Sequence, residues 1–337
     1  MSSCLPSTAQ LLQNIRKYTL SSKHPINSIW PPHRRSAVMI ILFYGNRGEL
    51  RVLLTKRSRN LRAFSGHVSL PGGKADDMIE SPLEVARREC FEEIGLPLDD
   101  KELTEQGLKL EVLNTLPCYL SRTFLSVKPV VCFLRDLQDE AAKINSIKFN
   151  LNPGETSSIF SVPLLDLLYD KKRNEHLPKD YRHEFIKRTN VKYSWGLIPW
   201  PLKHYFYPNV NEHEILWLDE VVDLSSDEDL TFSNSETSLK EGNVNKLKDI
   251  DGIKDVWGLT AQIIHDLALI SIDKAETATI GNDNLIYGLT ELGGQMLQRK
   301  RSEWESGMID GENRFDYSQV IPRYYFTKLV KDFKSVL

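Results

Sequence analysis

The chain has 337 residues, 41% of them hydrophobic and 26% charged, a balance that supports a packed core in one large domain or two modest ones. Its formal net charge of −3 excludes a general binder of nucleic acid or membrane surfaces, because no overall basic field exists to hold phosphate polymers. Four cysteines (Cys4, Cys90, Cys118 and Cys132) lack C-x-x-C spacing, which argues against structural zinc and a disulfide framework and for reduced thiols. No apolar run reaches the roughly 18 residues needed to cross a membrane.

No acidic residue precedes Glu49, whereas Arg16, Lys17, Lys23, Arg34, Arg35 and Arg47 do. The stretch from Thr8 to Tyr18 predicts a short helix with Leu11, Leu12 and Ile15 on one face, and "WPPHRR" (Trp30 to Arg35) breaks any helix. "SAVMIILFYG" and "LRVLLTKR", joined through "GNRGE", predict two buried strands in a hairpin-like pair. Next comes a helix from Pro82, capped by Ser81, running to about Ile94 and stopped by Gly95. Strands are expected at Leu108 to Leu113 and Leu125 to Leu134, and "SSIFSVPLLDLL" reads as a strand entering a short helix. "HYFYP" and "EILWL" read as two more strands. Residues Asp223 to Asp255 are polar, acidic and poor in aromatics, the composition of a flexible insertion inside the domain. "VWGLTAQIIHDLALI" then resumes an apolar helical pattern, and "MLQRKRSEWE" reads as helical and exposed. Short strands around few helices predict an α+β or layered α/β/α domain.

The chemistry concentrates in the helix after Ser81. At about 100° per residue, Glu89, Glu92 and Glu93 share one arc beside an apolar stripe of Leu83, Ala86, Cys90 and Ile94. Arg88 sits one turn from both Glu84 and Glu92 and can pair with either. Standing alone, this spacing is satisfied by a solvated acidic face with ordinary ion pairs. Crowded carboxylates beside a buried stripe instead call for a hard cation such as Mg²⁺ or Mn²⁺, which prefers carboxylate oxygen. Gly72 and Gly73, just upstream, let the backbone approach a ligand or turn a carbonyl towards a metal.

This stretch resembles the Nudix box, G-x5-E-x7-R-E-U-x-E-E-x-G-U with U apolar. Gly73, Glu80, Arg88, Glu89, Cys90, Glu92, Glu93, Gly95 and Leu96 occupy the pattern, except that six residues separate Gly73 from Glu80 instead of five. Upstream, "LLTKRSRNLRAFSGHVSLPGG" (Leu53 to Gly73) resembles the signature of the coenzyme A diphosphatase branch, with Thr55, Arg57, Ser58, Arg62, Gly66, Leu70 and Pro71 in its fixed positions.

The resemblance implies a Nudix-type α/β/α sandwich with a mixed sheet, a flexible acidic insertion and a C-terminal helical extension. The implied division is an N-terminal helical or targeting segment at 1–35, a hydrolase domain at 36–272 interrupted at 223–255, and an extension at 273–337. The implied reaction is hydrolysis of coenzyme A, or a derivative such as its disulfide, to 3′,5′-ADP and 4′-phosphopantetheine with Mg²⁺ or Mn²⁺. Glu89 and Glu93 become the first-choice metal ligands with Glu92 in support, and Arg88 orients them; Glu89 and Glu93 are expected to be exposed when no metal is bound. Substrate binding falls to Arg57, Arg62, Gly66, Gly72, Gly73 and Lys74. Together with Lys56 and Arg59 these bases form a cluster whose guanidiniums suit a 3′-phosphate. Glu155 lies where Nudix proteins often carry an acidic loop residue, so the proton acceptor is either a helix glutamate or Glu155. His67, at a free position of the signature, reads as a hydrogen-bonded structural histidine. Two other functions fit the same scaffold: sanitising oxidised nucleoside triphosphates such as 8-oxo-dGTP, and non-catalytic nucleotide binding.

The expected partner is a small molecule, with no nucleic-acid polymer and no membrane insertion. Branch resemblance implies the peroxisome and an import receptor. Ser335-Val336-Leu337 is similar to the Ser-Lys-Leu address with Val336 in place of the base, and Lys17 to Pro25 resembles the other peroxisomal signal, with Tyr18 and Pro25 departing from it. The acid-free N-terminal stretch also has mitochondrial character; the cytoplasm is the remaining alternative.

Overall fold

Apolar residues in consecutive positions along a strand must serve two faces, because successive side chains point to opposite sides of a sheet. The computed structural model, which describes residues 6–19, 24, 29–168, 183–224 and 253–334, arranges the predicted hairpin in this way. β1 (Arg35–Tyr44) and β2 (Leu50–Arg57) pair antiparallel. They are joined by β3 (Val68–Ser69), β4 (Gly72–Lys74), β5 (Leu108–Thr115), β6 (Tyr119–Leu120), β7 (Ser126–Asp136) and β8 (Thr156–Pro163). The main path of the sheet is β3-β2-β1-β7-β5, with β4 also on β1, β6 on β7 and β8 on β2. β1 and β7 run parallel, with Ile41 opposite Cys132, and the remaining pairs are antiparallel, so the sheet is mixed.

Ile40 and Leu42 of β1 meet Val131 and Phe133 of β7 on one face, under α1 (Thr8–Lys17) and α5 (Gly258–Ser271). Met39, Ile41 and Phe43 meet Val130, Cys132 and Leu134 on the other face, under α2 (Pro82–Ile94), α3 (Asp100–Glu105) and α4 (Leu216–Asp219). This is the expected α/β/α layering. α1 buries Leu11, Leu12 and Ile15 as its periodicity requires, and Arg16 pairs with Glu111 at 3.1 Å and Glu140 at 2.9 Å.

A second, three-stranded antiparallel sheet consists of β9 (Lys187–Val191), β12 (Leu202–Pro208) and β13 (Ile253–Trp257) in the order β13-β12-β9. A small hairpin, β10 (Ser194–Trp195) and β11 (Ile198–Pro199), lies between β9 and β12 in the chain. α6 (Asp283–Tyr287), α7 (Glu303–Asp310) and α8 (Arg323–Lys334) complete the structure. Around them Phe124, Trp195, Ile198, Leu285, Trp304 and Tyr317 form a third apolar core. Cys90, Cys118 and Cys132 are buried and unpaired.

Four local expectations are corrected. "EILWL" is a helical turn, not a strand: Ile215, Trp217 and Leu218 are buried while Leu216 is 72% exposed, a pattern that two-residue alternation cannot give. "MLQRKRSEWE" is neither wholly helical nor exposed, because Met296 is buried with a left-handed backbone (φ 68°) and the helix starts only after Ser302, with Trp304 buried. Residues 253–255, placed by composition at the end of the acidic insertion, and Val256 and Trp257, read as the start of a helical pattern, form β13; residues 225–252 lie outside the described residues. In α2 the buried stripe is Val85, Ala86, Cys90 and Ile94, whereas Leu83 is exposed.

Candidate active site

α2 begins with a reciprocal capping box, in which the Ser81 hydroxyl accepts from the Glu84 N–H and the Glu84 carboxylate accepts from the Ser81 N–H. It ends at Gly95, whose left-handed φ of 71° turns the chain out of the helix. Glu84 is therefore engaged at the cap. Arg88 finds other partners: it donates to Glu80 at 3.0 Å, to Glu89 and Glu92 at 3.2 Å each, and to the Lys74 carbonyl at 2.9 Å. One guanidinium thus links β4, the preceding loop and two helix carboxylates.

The extra residue between Gly73 and Glu80 is absorbed in that loop. The Asp77 carboxylate accepts from the N–H groups of Ile79 and Glu80, and Glu80 accepts from the Asp76 N–H at 2.7 Å. Glu80 is delivered to Arg88, whose hydrogen bond holds its carboxyl below the usual range.

β4 runs beside α2. The Gly72 N–H donates to Glu93 Oε2 at 3.1 Å. A Cβ on Gly73 would come within 2.3 Å of the Glu89 carboxylate, so glycine here is a matter of room for that side chain. Gly73 in turn is fixed by Ser36, whose hydroxyl donates to its carbonyl at 2.6 Å.

Glu93 is only 4% exposed, contrary to the expectation of an exposed ligand, and Glu89 is half-buried. Burial pushes the Glu93 carboxyl up to about 8; the Gly72 N–H and Arg57 pull it down, and Glu89 and Glu155 push it further up. Glu89 is likewise raised by burial, against the pull of Arg88, with Glu92 and Glu155 adding repulsion. The loop bearing Glu155 is held to the end of α2 by the Asn152 N–H, which donates to the Glu93 carbonyl at 3.1 Å, and to β2 by the Ser58 N–H, which donates to the Glu155 carbonyl at 2.8 Å.

Arg57 ends β2 with Nη1 3.8 Å from Glu93, and its buried Nε has no hydrogen-bond partner. Its backbone anchors the loop that follows: Arg57 N–H donates to the His67 carbonyl, and Gly66 N–H, in a left-handed conformation, donates to the Arg57 carbonyl. Lys74, whose carbonyl accepts from Arg88, is exposed, and Arg62 is exposed in the loop after β2. The structure thus brings together Arg57, Gly72, Gly73, Arg88, Glu89, Glu92 and Glu93, and leaves Arg62 and Lys74 at the rim of the chain's surface. Residues not singled out from sequence are Ser36, the Gly72 N–H as a donor to Glu93, and Trp257, which packs against His67 with ring centroids 5.2 Å apart. Only the Gly-Gly pair hinted at the first two.

Comparison with known proteins places the sequence in a family. The profile for the NUDIX domain matches residues 33–182. Peroxisomal coenzyme A diphosphatase 1 of Saccharomyces cerevisiae is 44% identical over 341 residues, spanning 96% of this chain and 96% of that protein. The chain belongs to the Nudix family. Other relatives match part of it: mitochondrial Nudix hydrolase 15 of Arabidopsis thaliana is 42% identical over 49% of this chain and 54% of its own, and peroxisomal coenzyme A diphosphatase ndx-8 of Caenorhabditis elegans is 33% identical over 43% and 56%.

Nudix hydrolases require divalent metal ions, and the donors here fit one. Among the described residues no three His, Cys, Asp or Glu side chains converge closely enough to hold an ion unaided. A hard cation that keeps several of its waters needs only one or two carboxylates from the protein, with substrate phosphate supplying more. Glu93 is withdrawn from water, repelled by Glu89 and only partly compensated by Arg57 at 3.8 Å, while the half-buried Glu89 is repelled by Glu92 and Glu155 and held by Arg88. Such a pair gains from a cation.

Proposed function

We propose that this Nudix hydrolase is a metal-dependent diphosphatase that cleaves coenzyme A and its derivatives, including the disulfide, to 3′,5′-ADP and 4′-phosphopantetheine. The observation that carries the reading is the meeting of two motifs: Arg57, from the coenzyme A signature, lies 3.8 Å from Glu93 of the Nudix helix. The full-length similarity to the yeast coenzyme A diphosphatase supports the same substrate.

Glu89 and Glu93 are the primary metal ligands in this reading, and Glu92 supports them. Arg88 holds Glu89 and Glu92 in place and ties them to Glu80. When bound, Mg²⁺ or Mn²⁺ neutralises diphosphate charge and lowers the pKa of the attacking water. Gly72 lets β4 lie close against β1, and Gly73 leaves room for the Glu89 carboxylate beside β4. Arg57 offers an unpaired buried N–H towards the diphosphate, and Arg62 and Lys74 supply cationic contacts for the 3′-phosphate. A water adds to one phosphorus, the bridging P–O bond breaks, and the water's proton passes to one of the helix glutamates or to Glu155.

The hydrolase domain spans 36–272 in this reading, with 1–35 and 273–337 as its extensions. The chain acts in the peroxisome, where an import receptor is its macromolecular partner; the terminal residues 335–337 and most of 20–28 lie outside the described residues. The deciding experiment is a product assay with coenzyme A, its disulfide, ADP-ribose, NADH and 8-oxo-dGTP, with Mg²⁺ and then Mn²⁺. Release of 3′,5′-ADP from coenzyme A with the highest kcat/KM is expected; preferential cleavage of 8-oxo-dGTP would refute the substrate assignment.

A further inference from the structure

The loop that Arg57 anchors carries an anomaly. Phe64 has a left-handed backbone (φ 54°), uncommon for a non-glycine residue and costly for a bulky one, yet it remains 46% exposed. Folding gains little by paying backbone strain to leave an aromatic ring in water. The ring is nevertheless well supported. It packs edge-on against His67 at 5.7 Å, His67 packs on Trp257 of β13 at 5.2 Å, and Trp257 stacks on His204 of β12 at 5.2 Å and 8°. His204 is buried and bonded to Asp255 at 2.9 Å. A column of rings therefore runs from the interior of the second sheet to one exposed ring in the signature loop. Its inner half comes from residues beyond the matched NUDIX region.

The loop is held rigidly where the chemistry is. His67 N–H donates to the Phe64 carbonyl at 3.2 Å, and the Ser65 hydroxyl donates to the Arg59 carbonyl at 2.8 Å. The C-terminal side of the turn, Gly66 and His67, bonds to the backbone of Arg57, beside Glu93. Arg62 lies two residues before Phe64. A flat apolar face and a guanidinium at this spacing match a purine nucleoside bearing a phosphate on its sugar.

We propose that Phe64 is the platform on which the adenine of the substrate stacks, and that His67 and Trp257 position it. The inference rests on the coenzyme A reading and names the group that recognises the base. The test is steady-state kinetics on coenzyme A and on an abasic analogue in which ribose 3-phosphate lacks adenine, together with competition by 3′,5′-ADP. F64A is expected to raise KM for coenzyme A, and weaken 3′,5′-ADP, by about ten-fold or more, with kcat within about two-fold, as loss of a stacked base does. The abasic analogue should be unaffected. F64Y should restore binding and F64L, which keeps apolar bulk without a π face, should not. F64G relieves the left-handed backbone, so it should retain Tm while losing the same affinity; this separates base recognition from folding. Unchanged KM in F64A, full rescue by F64L, or an equal loss on the abasic analogue would overturn the proposal. Absence of coenzyme A turnover in the unaltered chain would instead overturn the substrate reading beneath it.

Discussion

Among the described residues two glutamates, Glu305 and Glu93, are buried, and their surroundings differ in kind. Glu305, 2% exposed in the C-terminal region, accepts from Arg34 Nη2 through both oxygens at 3.1 and 3.2 Å and from the N–H of Ser302 at 2.8 Å. Glu93, 4% exposed in the Nudix helix, has one backbone N–H and a guanidinium at 3.8 Å, with Glu89 and Glu155 adding repulsion. A buried charge that has its partners is part of the architecture; one left short of them is kept for something that arrives later. The first glutamate should matter to folding and the second to turnover.

The sharpest break is on the structural side. Glu305→Ala leaves Arg34, whose Nε already lacks a partner, as an uncompensated buried charge. A loss of about 3–5 kcal/mol is expected, seen as a fall in Tm on the order of 10 °C, while kcat per folded molecule is retained. Calorimetry beside active-site titration decides this, and an unchanged Tm would show that the pair contributes no net stability.

Glu93→Gln should do the reverse. The amide can still accept from the Gly72 N–H, so folding survives, but kcat should fall by about 10²-fold or more at saturating Mg²⁺, as should that of Glu89→Gln. Near-normal turnover in either variant would remove that residue from the metal site.

Arg62→Ala sharpens the comparison on the substrate side. An exposed guanidinium contributes little to folding, but a lost charge-assisted phosphate contact is worth on the order of 1.5–3 kcal/mol. Coenzyme A should weaken by that amount and dephospho-coenzyme A should not; equal losses would place Arg62 on the diphosphate or on the loop.

A last test is a pH slope. Glu93 titrates near 8 in the folded chain against about 4.3 unfolded, so the folded state binds the extra proton. Its contribution to stability is full below about pH 4.3 and is lost as pH rises through 8. In EDTA, the Tm of the unaltered chain should therefore decline from pH 5 to 8.5 more than that of Glu93→Gln. Parallel profiles would mean that Glu93 is ionised throughout.

What could be read from sequence was what is local. Ser81, Pro82 and Gly95 bound α2 because caps are decided within a few residues, and Arg88, Glu89 and Glu92 meet because one helix carries them all. The burial of Glu93 was not readable, since it depends on β4 pairing with β1 and bringing the Gly72 N–H alongside α2. The engagement of Glu80 depends on how a six-residue loop folds, and a count of residues gives its length but not its path. Trp257 lies about 190 residues from His67 along the chain, across the polar stretch at 225–252. Side-chain periodicity carries no information about such a meeting. In "EILWL" β-prone composition favoured a strand, but Trp217 and Leu218 both found apolar partners on α4's side of the sheet, and packing overrode propensity.

The buried cysteines acquire a meaning from the proposed substrate, which ends in a thiol or is itself a disulfide. Cys90, Cys118 and Cys132 lie in the apolar cores, and burial pushes the thiols of Cys118 and Cys132 up to about 12 and that of Cys90 well above its ordinary value. Exchange requires an accessible thiolate, and these side chains offer neither the anion nor the approach. On the proposed reading, a chain that cleaves coenzyme A disulfide keeps the sulfur of these three cysteines out of the reagent's reach.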